Sequence, residues 1–92
     1  MDYLELLNGV AKAVKVNRNY TDATDLSQPL VECGLDSLDI TLLIVNISEI
    51  FGIPEEIGSK IFPKTFADVV TAIESYHTRM PHSVAEALES IS

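Results

Sequence analysis

The sequence predicts a small all-helical bundle, and three observations support this fold class. Apolar residues recur at helical spacing in each long segment, cap-forming residues precede those segments, and alternating strand patterns are missing from the sequence. The 92 residues suffice for one domain with a modest core. We expect a four-helix bundle in residues 1–78, followed by a C-terminal extension, residues 79–92, that can form a short fifth helix.

The first predicted helix covers about residues 3–16. Asp2 can cap it, because its side-chain oxygen can accept hydrogen bonds from the free amides of the first turn. Lys12, Lys15 and Arg18 lie near its end, where cations interact favourably with the helix dipole. Its apolar positions at helical spacing are Leu4, Leu7, Ala11 and Val14.

A long connection, residues 17–35, follows the first helix. Asn and Asp residues near its start and Pro29 within it interrupt any helical periodicity. Connections of this length inside a small domain are usually functional. The residues expected to hold it against the core are Leu26, Leu30, Val31 and Leu35.

The second predicted helix runs from about Ser37 to Phe51 and stops at Gly52. Its length and its cap favour a helix over a buried strand. One broad apolar face is predicted to enter the core: Ile40, Leu43, Ile44, Ile47, Ile50 and Phe51.

Three shorter helices are predicted after Gly52. The third begins with Pro54 in its first turn and ends at Pro63.

Thr65 and Asp68 have the spacing of a capping box that starts the fourth helix. Its apolar positions are Phe66, Val69, Val70, Ile73 and Tyr76. A second capping box, Ser83 to Glu86, can begin a fifth helix with Val84, Leu88 and Ile91, although a frayed tail is an alternative.

Charge and cysteine content restrict the possible functions. The net charge is −8, and no Lys or Arg lies between Arg18 and Lys60, where eight acidic residues occur. Such a surface repels nucleic acid and anionic lipids and attracts partners with a basic patch.

A single cysteine, Cys33, excludes an internal disulfide and a cysteine-built zinc site, and we expect it to be buried. No membrane span, secretion signal or metal site is predicted, so we expect a cytoplasmic monomer.

Ser37 allows three interpretations. It can be an ordinary first-turn residue after the N-cap Asp36. It can be a nucleophile, but a hydrolase would need a base and an oxyanion site. The glycine pair and the preceding strand of a nucleophile elbow are missing around Ser37. The two histidines, His77 and His82, lie near the C-terminus. It can also be an attachment point, exposed at the end of a long loop where Gly34 permits a tight turn.

The segment Gly34-Leu35-Asp36-Ser37-Leu38 closely resembles the signature of acyl carrier proteins. The resemblance spans roughly residues 3–77, including Phe51-Gly52-Ile53 and a last helix of the Phe-Ala-Asp-Val-Val type. It implies that Ser37 carries covalent 4'-phosphopantetheine, whose thiol holds acyl groups as thioesters. It also implies that Asp36, Leu38 and Asp39 help a phosphopantetheinyl transferase to recognise the serine.

The second helix departs from the pattern of carriers that serve fatty acid synthesis. It has few glutamates, and Leu38, Leu42 and Val45 form an apolar line beside the core face. Either this line is exposed as a docking strip, or residues 84–91 fold back and cover it. We expect exposure, and with it a specialised pathway. The further residues expected to contact partners are Glu49, Glu55 and Glu56.

The predicted function is that of a freestanding, non-catalytic acyl carrier protein. It would deliver acyl groups to loading, synthase or transferase enzymes with basic and partly hydrophobic docking patches, in fatty acid, lipid or polyketide-type biosynthesis. Acyl chains are expected to retract between the second and fourth helices, with Ile44, Ile47, Phe66 and Val70 as lining residues. The alternatives are an amino-acid or peptidyl carrier and an unmodified helical interaction module with the same fold.

Overall fold

Five α-helices and one short 3-10 helix form the regular structure of residues 1–14 and 19–91, the part of the chain that the computed structural model describes. They are α1 (Tyr3–Val14), a 3-10 helix (Leu30–Cys33), α2 (Ser37–Phe51), α3 (Glu55–Gly58), α4 (Phe66–Tyr76) and α5 (Val84–Glu89). The all-helical fold class is confirmed, and α2 has the predicted bounds. The predicted end of α1, including Lys15 and Arg18, lies outside the described residues.

The core lies where α1, α2 and α4 meet. Each of these helices buries one apolar stripe, as the helical spacing predicts. The rings of Tyr3 and Phe51 pack with centroids 6.4 Å apart and join the start of α1 to the end of α2. The largest fully buried side chains of these three helices are Leu6, Leu7 and Val10 from α1, Leu43, Ile47 and Phe51 from α2, and Phe66, Val69 and Ile73 from α4. Among the described residues, no helix is both long enough and apolar enough to span a bilayer.

The predicted capping box begins α4. The Asp68 amide donates to the Thr65 hydroxyl (3.2 Å), and the Asp68 carboxylate accepts from the Thr65 amide (3.1 Å). The same carboxylate also accepts from the amide of Lys64. These backbone donors hold the pKa of Asp68 below its ordinary value, because they stabilise the ionised form.

The connection between α1 and α2 is held by side chains from both sides. Asn8 on α1 accepts hydrogen bonds from the Tyr20 hydroxyl (2.6 Å) and the Ala23 amide (2.8 Å). Leu30 and Leu35 are buried as predicted, and Leu26 is partly buried. The prediction for Val31 is wrong: its side chain is 65% exposed, because the 3-10 helix turns Leu30 and Cys33 inward and Val31 outward.

The third helix is shorter than predicted. It is a single turn that ends at Gly58, with Pro54 as its N-cap and Ser59 as its C-cap. Pro63, which was expected to end it, lies several residues further along. The chain between Ser59 and Thr65 is irregular, and a backbone hydrogen bond of 2.9 Å from Leu30 to the carbonyl of Lys64 fixes its end. At the end of α4, Tyr76 is exposed and does not enter the core.

The C-terminal segment is ordered and packs against α1. Ala87 is buried, and Leu88 lies so close to Gly9 that a Cβ atom on Gly9 would come within 2.8 Å of its methyl groups. The alternative of a frayed tail is therefore wrong for residues 84–89. The Ser83 capping box is only half formed, since Glu86 accepts from the amide of His82. The boundary after residue 78 stays a prediction.

The residues between α4 and α5 cap the end of α2. The amides of Thr78 and Arg79 both donate to the carbonyl of Phe51, at 2.9 and 3.2 Å, and the Thr78 hydroxyl donates to the carbonyl of Gly52 at 2.6 Å. The Arg79 guanidinium donates to the carbonyls of Glu49 and Ile50. The last carbonyls of α2, which a helix leaves unpaired, are thus satisfied by this segment.

Replacing Leu88 with alanine tests the docking of α5. We expect the free energy of unfolding to fall by about 1–2 kcal/mol, because a partly buried leucine loses less than a fully buried one. Chemical denaturation followed by circular dichroism measures the change. The matched control is Val31→Ala, which truncates an exposed apolar side chain and should change stability very little. Equal effects of the two substitutions would contradict docking of α5.

Candidate functional site

Ser37 is the first residue of α2, and a reciprocal capping box fixes its position. The N-cap is Asp36, whose carboxylate accepts a hydrogen bond from the Asp39 amide at 2.9 Å. The Asp39 carboxylate accepts in return from the Asp36 amide at 3.0 Å. Two backbone donors at the start of the helix are thereby satisfied, so the residues between them have a fixed orientation.

The approach to the helix depends on a glycine. Gly34 has a φ of +100°, which side chains rarely tolerate, and its amide donates to the carbonyls of Leu30 and Val31. A Cβ atom there would also lie 2.9 Å from the carbonyl oxygen of Asn19. The next residue, Leu35, is buried and anchors the turn in the core. The chain then emerges at Asp36, so Ser37 lies at the surface.

The Ser37 hydroxyl is free to react. The residue is exposed, and its hydroxyl makes no hydrogen bond to any residue that the structure describes. Its carbonyl oxygen accepts from the Thr41 hydroxyl at 3.0 Å, as is usual inside a helix. The side chain is therefore accessible and uncommitted while its backbone is fixed.

The two aspartates beside Ser37 are placed differently. Asp36 is exposed and available to a partner. Asp39 is only 8% exposed, because its carboxylate turns back to complete the capping box. In this position Asp39 orients the start of α2, and its part in recognition by a transferase stays a prediction.

The apolar strip along α2 is exposed, as predicted. It consists of Leu38, Leu42 and Val45, with 66%, 39% and 49% of their surfaces accessible. The C-terminal segment packs on α1 and leaves this strip open. Three acidic residues that were expected to contact partners are also exposed: Glu49, Glu55 and Glu56.

A groove of about 970 Å³ extends along α2 from Ser37. Residues of α2 form one wall, and α3 with the irregular chain after it forms the other. Phe62, at 84% the most exposed of the large apolar residues, lies at this wall. The apolar lining consists of Ile40, Ile44, Val45, Ile53, Ile61, Phe62 and Pro63, so Val45 belongs to both the strip and the groove.

The groove lies elsewhere than the predicted acyl-chain site, and the binding position of an acyl chain stays a prediction. Of the four predicted lining residues, Ile44 lines it. Ile47 and Phe66 are buried in the core, and Val70 packs partly buried against that core. The groove therefore lies between α2 and the α3 side of the molecule, not between α2 and α4. Sequence reasoning missed Ile61 and Phe62, because they lie in an irregular segment where periodicity gives no signal.

The other reactive side chains are distant or inaccessible. The Nδ1 atom of His77 lies 2.8 Å from the carbonyl of Ile73, and the neighbouring Thr78 bonds Phe51 at the far end of α2. A helix of 15 residues is about 22 Å long, so His77 is far from Ser37.

No cluster of potential metal ligands occurs among residues 1–14 and 19–91. Cys33 is buried, which raises the pKa of its thiol, and the nearby carboxylates of Glu32 and Asp22 raise it further.

Comparison with protein families gives one match. Residues 5–73 match a family model described as phosphopantetheine attachment site. The matched region contains 69 of the 92 residues and includes Ser37 with its capping box. The comparisons with curated proteins and with solved structures gave no match.

Cys33 should react slowly with thiol reagents in the folded protein. Burial blocks access, and a raised pKa lowers the thiolate fraction at neutral pH, so we expect alkylation slower by about tenfold or more than in the denatured chain. Because the pKa is raised, the native rate should continue to increase with pH beyond the range of an ordinary thiol. Mass spectrometry of timed iodoacetamide reactions measures both rates. Equal rates in native and denatured protein would contradict the burial.

Proposed function

The chain belongs to the phosphopantetheine attachment-site family, and on this premise we propose that it is an acyl carrier protein whose Ser37 hydroxyl bears the prosthetic arm. The domain of this family is the attachment site of covalent 4'-phosphopantetheine, so the chain is a phosphopantetheine-carrying carrier protein. The observation that carries the choice of Ser37 is its exposed, uncommitted hydroxyl at the capped start of α2.

The other serines of the matched region fit the arm poorly. Ser27 lies in the loop before the 3-10 helix and not at the start of a helix, and its amide donates to the Asp25 carboxylate at 2.7 Å. Ser59 donates its hydroxyl to the carbonyl of Glu56 at 3.3 Å, and the Ser48 hydroxyl is buried. Ser37 is the remaining serine in residues 5–73, and its hydroxyl is free for ester formation.

The chain presents the hydroxyl but does not activate it. The carboxylates of Asp36 and Asp39 accept amide hydrogen bonds in the capping box, and His77 lies at the other end of α2. When coenzyme A is the donor, the Ser37 oxygen bonds to the phosphorus of the pantetheine arm, the phosphoanhydride bond breaks and adenosine 3',5'-bisphosphate leaves. The Ser37 proton then goes to a base that the transferase supplies. Once attached, the arm supplies a thiol that holds cargo as a thioester. What this chain contributes is a fixed attachment point that keeps the cargo close to successive enzymes.

The groove favours acyl cargo over amino-acid or peptidyl cargo. It starts at Ser37, and its apolar lining is supplied by four isoleucines together with Val45, Phe62 and Pro63. An alkyl chain that entered it would leave water and gain hydrophobic stabilisation in proportion to the area buried. The ammonium of an aminoacyl group would pair there with Glu49 or Glu55, and because both carboxylates are exposed, such an ion pair contributes little. The third candidate, an unmodified interaction module, gives no use to the free hydroxyl of Ser37.

The exposed strip on α2 indicates how partners bind. Leu38, Leu42 and Val45 supply an apolar centre, and Asp36 and Glu49 lie on the same helix as an acidic rim. We expect the phosphopantetheinyl transferase and the acyl-processing enzymes to present an apolar patch surrounded by basic side chains. We also propose that the protein is a cytoplasmic monomer and that it works in a specialised fatty acid, lipid or polyketide-type pathway.

Replacing Ser37 with alanine should abolish attachment of the arm. The fold should remain, with a stability change within about 1 kcal/mol, because the hydroxyl makes no contact with the described residues. Intact-mass measurement after incubation with coenzyme A and a transferase tests attachment, and circular dichroism tests the fold. The matched control is Ser59→Ala, which should still be loaded. Loading of the Ser37→Ala protein would remove this residue from its proposed role.

Replacing Leu42 and Val45 together with glutamate should weaken delivery to the native partner. Both side chains are exposed, so the fold and attachment at Ser37 should be retained. Because Val45 also lines the groove, the single variant Leu42→Glu, which leaves the groove unchanged, should slow transfer as well. We expect transfer to slow by about tenfold, which corresponds to about 1.4 kcal/mol of lost docking energy. The control is Val31→Glu with Met80→Glu, an exposed apolar pair off α2 that adds the same charge. If both double variants transfer cargo equally well, the strip is not a docking surface.

A further inference from the structure

The hydroxyl of Ser48 is a buried polar group that lacks a hydrogen bond to the described residues. Comparable hydroxyls on the helices are satisfied: Thr41 donates to the carbonyl of Ser37 and Thr71 to that of Ala67, both at 3.0 Å. A buried hydroxyl without a partner costs free energy, and native structures seldom contain one without a reason. Ser48 therefore needs an explanation that the core packing does not provide.

Ser48 lies on the wall of the groove, in contact with α3. A Cβ atom on Gly58 would come within 2.8 Å of the Ser48 Oγ atom, so the missing side chain of Gly58 provides the space for this hydroxyl. Ser48 also lines the groove with Ile44 and Ile53. It follows Ser37 by eleven residues of the same helix, which places it about 16 Å along the helix axis from the attachment point.

The remaining polar side chains of the groove are committed or exposed. The hydroxyls of Thr41 and Ser59 donate to carbonyls of their own helical turns. The Arg79 guanidinium donates to carbonyls at the end of α2, and Glu49 and Glu55 are exposed. Within the described residues, Ser48 thus offers this groove a buried donor and acceptor that still has hydrogen-bonding capacity.

We propose that Ser48 selects acyl cargo that carries a hydroxyl or carbonyl oxygen part-way along its chain. The inference rests on the proposed function, because the cargo must occupy the groove. Rotation about χ1 between staggered positions would turn the hydroxyl from Gly58 toward the groove. An oxygen on the cargo then hydrogen-bonds with the Ser48 hydroxyl. An unsubstituted chain leaves this hydroxyl without a partner, so the free-energy cost of burying it remains. A site with a buried polar group discriminates against a ligand that lacks the matching group.

The test uses the full chain with cargo attached through hydrolysis-resistant amide analogues of the thioester. The cargo series has one chain length, with a hydroxyl at successive carbons, and an unsubstituted chain for comparison. For the unaltered protein we expect one hydroxyl position to raise the melting temperature above that of the unsubstituted form by about 4–8 °C, the shift that a single good interaction gives in a domain of this size. Ser48→Ala should remove this difference.

The control and the possible outcomes separate this inference from the proposed function. Thr71→Val removes a helical hydroxyl away from the groove and should keep the discrimination. If an unsubstituted chain raises the melting temperature but no hydroxyl position adds to it, or if the gain persists in Ser48→Ala, the role of Ser48 is overturned and the carrier function stands. If no chain raises the melting temperature, the groove holds no cargo, and the acyl assignment is overturned together with this inference.

Discussion

The reciprocal hydrogen bonds between Asp36 and Asp39 are the constraint on which the site depends. They satisfy two backbone donors at the start of α2 and hold Ser37, which lies between them, at the first helical position. Gly34 brings the chain to this point through a left-handed turn that other residues would strain. The proposed attachment point is thus fixed by local chemistry, and the hydroxyl itself needs no supporting contact.

Helix α2 organises the rest of the molecule because its faces have different tasks. One face buries Leu43 and Ile47 in the core, and a second exposes the strip with Leu42 and Val45. A third, with Ile44, forms a wall of the groove. The segment with Thr78 and Arg79 satisfies the carbonyls at the end of the helix. The proposed attachment point, the strip and one wall of the groove therefore lie on a single helix whose two ends are both held by hydrogen bonds.

Sequence reasoning predicted the features that local chemistry determines. The bounds of α2 follow from Asp36 and Gly52, and the start of α4 follows from the Thr65 capping box. The exposure of Leu42 and Val45 follows from helical periodicity once the core face is known.

The features that depend on tertiary contacts were missed or misplaced. The fit of Leu88 against Gly9 fixes α5 on α1, and no sequence pattern marks that pair. Val31 is apolar, as core residues usually are, but its side chain points outward from a 3-10 turn. Asp39 is charged, as surface residues usually are, but its carboxylate turns inward. The groove itself was not predicted, because its second wall is an irregular segment, which has no period to interpret.

Direct localisation of the arm in the unaltered protein is the most decisive measurement. Trypsin should release residues 19–60 as one peptide, since no Lys or Arg lies between Arg18 and Lys60. After incubation with coenzyme A and a broad-specificity phosphopantetheinyl transferase, fragmentation of this peptide should place one phosphopantetheine on Ser37. An unmodified peptide, or a modification on Ser27, Ser48 or Ser59, would contradict the assignment of Ser37 as the attachment point.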